Sequence, residues 1–155
     1  MIYIECNPDL ELVRITKQIP RSEIIHELKG KYEICKRLKE RANNIALLDE
    51  DPASNQPLYL NNMQIISQTA ANIRLLYDKN KNNYIVLLLP RLEEWVIRAT
   101  IQSQIDIRKY NLSNSARELH HEINYKIDKF EKLVMKLNEI KSPMVISLKA
   151  ALNSK

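Results

Sequence analysis

The amino-acid sequence predicts an α/β fold with a mainly parallel central sheet flanked by helices, and three observations predict it. The run Asn44-Ile45-Ala46-Leu47-Leu48 is aliphatic without alternation and stops at Asp49-Glu50-Asp51-Pro52; such a run suits a strand covered on both faces, and Pro52 cannot extend a ladder. Ahead of it, short segments rich in Ile and Tyr alternate with helix-spaced apolar stripes. That order, strand, helix, strand, helix, strand, is the signature of right-handed parallel crossovers. Finally, the only glycine, Gly30, falls where a second strand must turn into a helix.

With 155 residues, 45% of them hydrophobic, the chain is about one domain long and can fill a single core. Residues 1–110 are expected to form the α/β core, and residues 111–155 a carboxy-terminal helical extension packed on the same domain. A sheet of about four or five strands is expected.

Met1 to Glu5 reads as the first strand, closed by Asn7-Pro8, a pair that also starts a helix well. The helix that follows has acids in its first turn, a stripe of Leu12, Ile15 and Ile19, and a stop at Pro20. Glu23 to Leu28 is brief and ambiguous by period; Gly30 assigns it as a strand, on the expectation that a lone glycine sits where a side chain cannot fit. Lys31 to Ala42 is then a helix with Ile34, Cys35 and Leu38 on its buried face. Pro52 to Pro57 is turn-forming, and Leu58 to Ala71 has no clear period, so it reads as a loop with a short helix or strand. Asn72 to Tyr77 and Tyr84 to Leu89 flank a polar Asp/Asn/Lys stretch as a hairpin-like pair. Pro90 precedes a helix over Arg91 to Gln102, and Ser115 with Glu118 caps one long helix running to Glu139. Five basic and five acidic residues between Arg117 and Glu139 give that helix a solvated face and not a nucleic-acid stripe. Ser142-Pro143 opens the last helix.

The net charge of +5, with a pI near 9.2, favours polyanionic partners. Much of the excess lies between Lys29 and Arg41, where Lys29, Lys31, Lys36, Arg37, Lys39 and Arg41 face only Glu33 and Glu40. No run of 18 apolar residues exists, and Glu5 stands where a signal peptide would be apolar, so no membrane association and a cytoplasmic location are expected. Cys6 and Cys35 have neither a partner pair nor a histidine cluster at metal spacing, so neither a zinc site nor a disulfide framework is indicated, and free core thiols are expected.

Glu5 ends one strand, and Asp49 and Asp51 end another. Ligands of parallel sheets gather at the carboxyl ends of strands. In an extended chain Asp49 and Asp51 point the same way, and their repulsion calls for a cation, for which Mg²⁺ or Mn²⁺ is the natural match to carboxylate oxygens. The plainer reading is that acids at strand ends cap the following helices. His26, at the end of the second strand, is expected to approach the same edge, whereas His120 and His121 read as surface residues. Lys29, Gly30 and Lys31, at the amino end of the second helix, are expected on that edge too, where a phosphate backbone would meet two lysines and free N–H groups.

These residues resemble the Toprim domain, found in topoisomerases, bacterial-type primases, OLD-family nucleases and small proteins of defence systems. The family has a Glu after its first strand, matched by Ile2-Tyr3-Ile4-Glu5, and an Asp-x-Asp after its third, matched by Asp49-Glu50-Asp51. Its smaller members carry a Leu-Glu-x-Trp element opening a later helix, which Leu92-Glu93-Glu94-Trp95 resembles. The resemblance implies Asp49 and Asp51 as Mg²⁺ (or Mn²⁺) ligands, Glu5 as a further ligand or general acid/base, and Glu93 completing the set. The chain departs from the family at Cys6, where members usually have Gly, and at Pro52-Ala53-Ser54, where topoisomerases and primases have Arg-Glu-Gly. Those two activities also need a tyrosine-bearing domain or a zinc module, which this length and two cysteines are not expected to supply.

The function implied is that of a metal-dependent nuclease or nuclease component acting on nucleic-acid phosphodiesters. The alternative is a non-catalytic Toprim-like module that binds nucleic acid or a protein partner in a defence or repair complex. A haloacid-dehalogenase phosphatase also ends a strand in Asp-x-Asp, but the Thr or Gly usual after its motif is replaced here by Pro52 and Ala53.

Overall fold

The aliphatic run forms the centre of a sheet, and the reason is visible in how its side chains divide. In the computed structural model, which describes residues 1–155, the strands are β1 (Ile2–Ile4), β2 (Ile24–His26), β3 (Ile45–Asp49), β4 (Gln64–Thr69), β5 (Ile73–Asp78) and β6 (Asn83–Leu88). Ile45 and Leu47 enter one apolar cluster with Ile2, Ile4, Val86 and Leu88, while Ala46 and Leu48 enter another with Tyr3, Ile85 and Leu87. Successive strand residues point to opposite faces. A strand buried on both sides therefore has to be apolar at every position.

The protein is an α/β fold. Its six strands lie in the order β2-β1-β3-β6-β5-β4, with the first four mutually parallel, β5 antiparallel to β6 and β4 antiparallel to β5. β3 is central and shares its ladder with β6 from Ile45 opposite Tyr84 to Asp49 opposite Leu88. The sheet thus exceeds the expected four or five strands by its outer edge. The stretch without a clear period contains both a short helix α3 (Leu58–Asn61) and β4. Every residue of β4 is exposed, so no buried side imposed an alternation that could be read.

The helices α1 (Asn7–Lys17), α4 (Leu92–Gln102), α5 (Ala116–Glu122), α6 (Ile127–Glu139) and α7 (Pro143–Leu152) contribute to the larger cluster of 28 buried residues, and α2 (Lys31–Glu40) with α3 to the smaller one of 12. Fully burying an aliphatic side chain contributes about 1.5–3 kcal/mol. Phe130, Leu133, Leu137 and Leu148 thus make the carboxy-terminal helices part of the main core, where they join Leu12, Trp95 and strand residues. No helix is long and apolar enough to cross a membrane.

The long helix expected from Ser115 to Glu139 is two helices. Ser115 caps α5, its hydroxyl accepting the Glu118 N–H, but the chain turns over residues 123–126 before α6 begins. Asn124 and Tyr125 are weak helix formers. The two parts also pack on different partners, α5 against α4 and α6 against α1, which one straight rod does not reach. Opposite the carboxyl ends of the strands, Asn83 is fully buried. Its Oδ1 accepts the Asn44 N–H at 2.9 Å, and its Nδ2 donates to the carbonyls of Leu38 at 2.7 Å and Arg41 at 2.8 Å.

Candidate carboxylate site

Three helices begin beside the carboxyl ends of β1 and β3, and each has an acid at its start. Glu5 lies beside Lys31, the first residue of α2: burial raises its carboxyl, and the Lys31 charge and backbone N–H act against that. Asp9, in the first turn of α1, accepts the Cys6 N–H at 3.3 Å through Oδ2 and is buried. Asp49 Oδ1 accepts the N–H of Leu92, the first residue of α4, at 2.9 Å. Unsatisfied N–H groups and the positive end of the helix dipole favour a carboxylate at such a position.

These acids are close enough to act on one another. Burial pushes Asp49 well above the usual carboxylate range, and Asp9, Glu93 and Glu5 raise it further, against the lowering bond from Leu92. Asp9 is raised by burial and by Glu5, and Glu5 by burial and by Asp51. Burial also pushes the Cys6 thiol up, with Asp9 adding to it, which favours the neutral thiol. The centre is a set of like charges taken out of water, which favours either protons or a bound cation.

Asp51 departs from the extended geometry expected of it. β3 ends at Asp49, and Asp51 has a left-handed backbone with φ of 48°, a conformation Asp tolerates. Its carboxylate pairs with Arg91 Nε at 3.2 Å, so the two aspartates hold neighbouring residues at the start of α4. Backbone bonds from Glu50 N–H to the Leu88 carbonyl and from Asp51 N–H to the Pro90 carbonyl, both 2.9 Å, fasten the two connections together.

Gly30 and Lys31 reach the same edge. Gly30 is the N-cap of α2, with φ of 77° and ψ of −164°, a region essentially confined to glycine. Space is not the reason, contrary to the expectation for a lone glycine: a Cβ there would sit 3.6 Å from Glu5 Oε2, an ordinary contact. Lys31 Nζ donates to the Glu50 carbonyl and to Gln56 Oε1, both at 3.3 Å, bracing the loop after β3. Lys29 is exposed, and only its backbone N–H is engaged, by Glu27 Oε1 at 3.4 Å. His26 Nε2 lies 3.0 Å from the Glu5 carbonyl oxygen, so His26 approaches the edge through the backbone of Glu5.

Glu93 is buried and near Asp49, but its Oε1 is hydrogen-bonded to His120 Nδ1 at 2.9 Å. His120 is a surface residue, as expected, and the packing of α5 on α4 brings its exposed ring to the site's margin. Asp9 was legible only as an acid in a helix's first turn, with nothing to mark it as a fourth member of the cluster.

The donor set of Glu5, Asp9, Asp49 and Asp51 is entirely carboxylate oxygen, the chemistry that a hard divalent cation takes. With the side chains as they stand, no three His, Cys, Asp or Glu residues form a group that closes on a metal ion. The donors fit such an ion by type but do not close on one as they stand, and the bonds from Leu92 and Arg91 occupy oxygens it would use. Compared with models of known families, with curated proteins and with solved structures, the chain gives no match.

Proposed function

We propose that the protein is Toprim-like and acts on nucleic-acid phosphodiesters, as a nuclease or a component of one, with Mg²⁺ or Mn²⁺ as cofactor. The single observation that carries the reading is that Glu5, Asp49 and Asp51 come from separate parts of the sequence to one sheet edge, each half-buried, with no cationic partner for Asp49. Glu5, Asp49 and Asp51 would hold the cation. When bound, it activates water and neutralises charge on a phosphate. Asp51 is free to join it at little cost, because its bond to Arg91 is a partly exposed ion pair worth about 0–1 kcal/mol. Glu5 would be the general acid or base, its carboxyl raised by burial above the ordinary carboxylate value against the lowering charge of Lys31. Lys31 and the amino end of α2 give a phosphate backbone positive charge beside Glu5.

The second reading is a binding module without catalysis, in a complex with nucleic acid or another protein. It is favoured by one specific observation: Asp49 and Asp51 already have structural roles in anchoring α4. Cleavage assays on single- and double-stranded DNA and RNA, with Mg²⁺, Mn²⁺ or EDTA, separate the two. The catalytic reading expects metal-dependent cleavage reduced about a hundredfold or more by Asp49→Ala, the scale of removing a group that stabilises the transition state. Cleavage unaffected by Asp49→Ala, or none with either metal, overturns it.

A further inference from the structure

A small cleft between α4 and α5, of about 180 Å³, is lined by Arg91, Glu93, Glu94, Arg117, His120 and His121 together with Ala116. Its polar groups sort by depth. Arg91, Arg117, His120 and His121 are exposed, whereas Glu93 is buried and one carboxylate oxygen of Glu94, Oε2, is closed off from solvent without a hydrogen-bond partner. The acids form the floor and the nitrogen bases form the mouth. Arg117 makes no ion pair within the chain, so its five donors are uncommitted.

His120 is the best-defined of these groups. Glu93 Oε1 lies 2.9 Å from its Nδ1, and a carboxylate accepts only from a protonated nitrogen, so Nδ1 carries the hydrogen. The ring is thereby oriented with Nε2 as its free nitrogen, which donates to a phosphate oxygen when the ring is an imidazolium paired with Glu93. The cleft adjoins the carboxylate centre through two neighbouring residues: Arg91 pairs with Asp51, and the Leu92 N–H meets Asp49. Arg91 is already paired with Asp51 and the floor carries Glu93 and Glu94, so the uncommitted charge of the cleft is the Arg117 guanidinium at the mouth. A phosphate group suits Arg117, since guanidinium donors match its oxygens in pairs.

We propose that this cleft is a phosphate-binding subsite, with Arg117 and His120 as its ligands and Glu93 as the residue that positions His120. Its ligand class, a phosphate of a nucleic-acid backbone or a free phosphate group, rests on the phosphodiester reading above, but the test does not depend on metal or on cleavage.

The full chain in EDTA is titrated separately with inorganic phosphate and with a short single-stranded oligonucleotide, while the side-chain nitrogen resonances of His120 and Arg117 are followed by NMR. Both resonances are expected to move with the oligonucleotide. Arg117→Ala combined with His120→Gln is expected to weaken its binding about tenfold or more and to lower the slope of log K against log salt by roughly one unit per lost contact. Movement with inorganic phosphate as well assigns the site to the phosphate group itself, and movement with the oligonucleotide alone assigns it to a backbone phosphate. Silent resonances with both probes overturn the proposal. So does oligonucleotide binding that falls with Lys29→Ala and Lys31→Ala but not with the Arg117/His120 variant. Loss of cleavage in Asp49→Ala with binding in EDTA intact bears only on catalysis.

Discussion

Asp49 Oδ1 and the backbone N–H of Leu92 are 2.9 Å apart, and this one bond ties the end of the central strand to the start of α4. A half-buried carboxylate beside Asp9, Glu93 and Glu5 is therefore both a helix anchor and a source of repulsion. Asp49→Asn separates the two roles, because the amide keeps an acceptor for Leu92 and removes the charge. Above neutral pH and without metal, the variant is expected to be more stable than the parent by about 1–3 kcal/mol, a gain of several degrees in Tm at this chain length. Thermal melts in EDTA measure it, and a lower Tm would show that the anchor outweighs the repulsion.

The pH dependence follows from the same carboxylates. Asp9 and Asp49 hold their protons more tightly folded than unfolded, so the folded state binds more protons between the two ranges. Their contribution to stability is fully present below the unfolded carboxylate value and is lost as pH rises through the raised folded values. Glu27 works in the opposite sense: the bond from Arg37 holds it below the ordinary range, and its contribution is lost as pH falls through that depressed value. Metal-free melts are thus expected to show Tm falling from mildly acidic to alkaline pH. Mg²⁺ at alkaline pH should restore part of the loss in the parent and none in Asp49→Asn, since a ligand that binds only the folded state stabilises it. A Tm that rises steadily with pH contradicts the assignment.

Gly30 offers a test of backbone strain apart from packing. Gly30→Ala introduces a methyl group that meets Glu5 Oε2 only at ordinary contact, yet it must hold φ of 77° with ψ of −164°. The expected cost is about 1–3 kcal/mol, read from denaturant unfolding at unchanged m-value. A neutral effect would mean that the turn into α2 relaxes to another conformation.

Strand-end chemistry was legible where burial left a mark on composition. The aliphatic run from Ile45 to Leu48 needs apolar residues on both sides, so its pattern announced a central parallel strand; Gly30 marked the turn into α2, although the reason proved to be its positive φ and not a lack of space. β4 left no such mark because every one of its residues faces solvent. The break at residues 123–126 was hidden because the apolar stripe continues across it, through Ile123 and Ile127 to Phe130, while the partner helix changes.

By itself the sequence determined that β1 and β3 end in acids, because the strands' length and the positions of Glu5 and Asp49 are local facts of the chain. It could not determine what each carboxylate meets. Asp51 leaves the extended register through its own left-handed backbone and turns to Arg91, Asp49 spends an oxygen on Leu92, and Glu93 is committed to His120. Those partners lie 27–43 residues away along the chain, and no local period encodes them. Only the packing of α4 against the end of β3, and of α5 against α4, brings them within hydrogen-bonding distance, so the tertiary structure decided which acids remain open to a ligand.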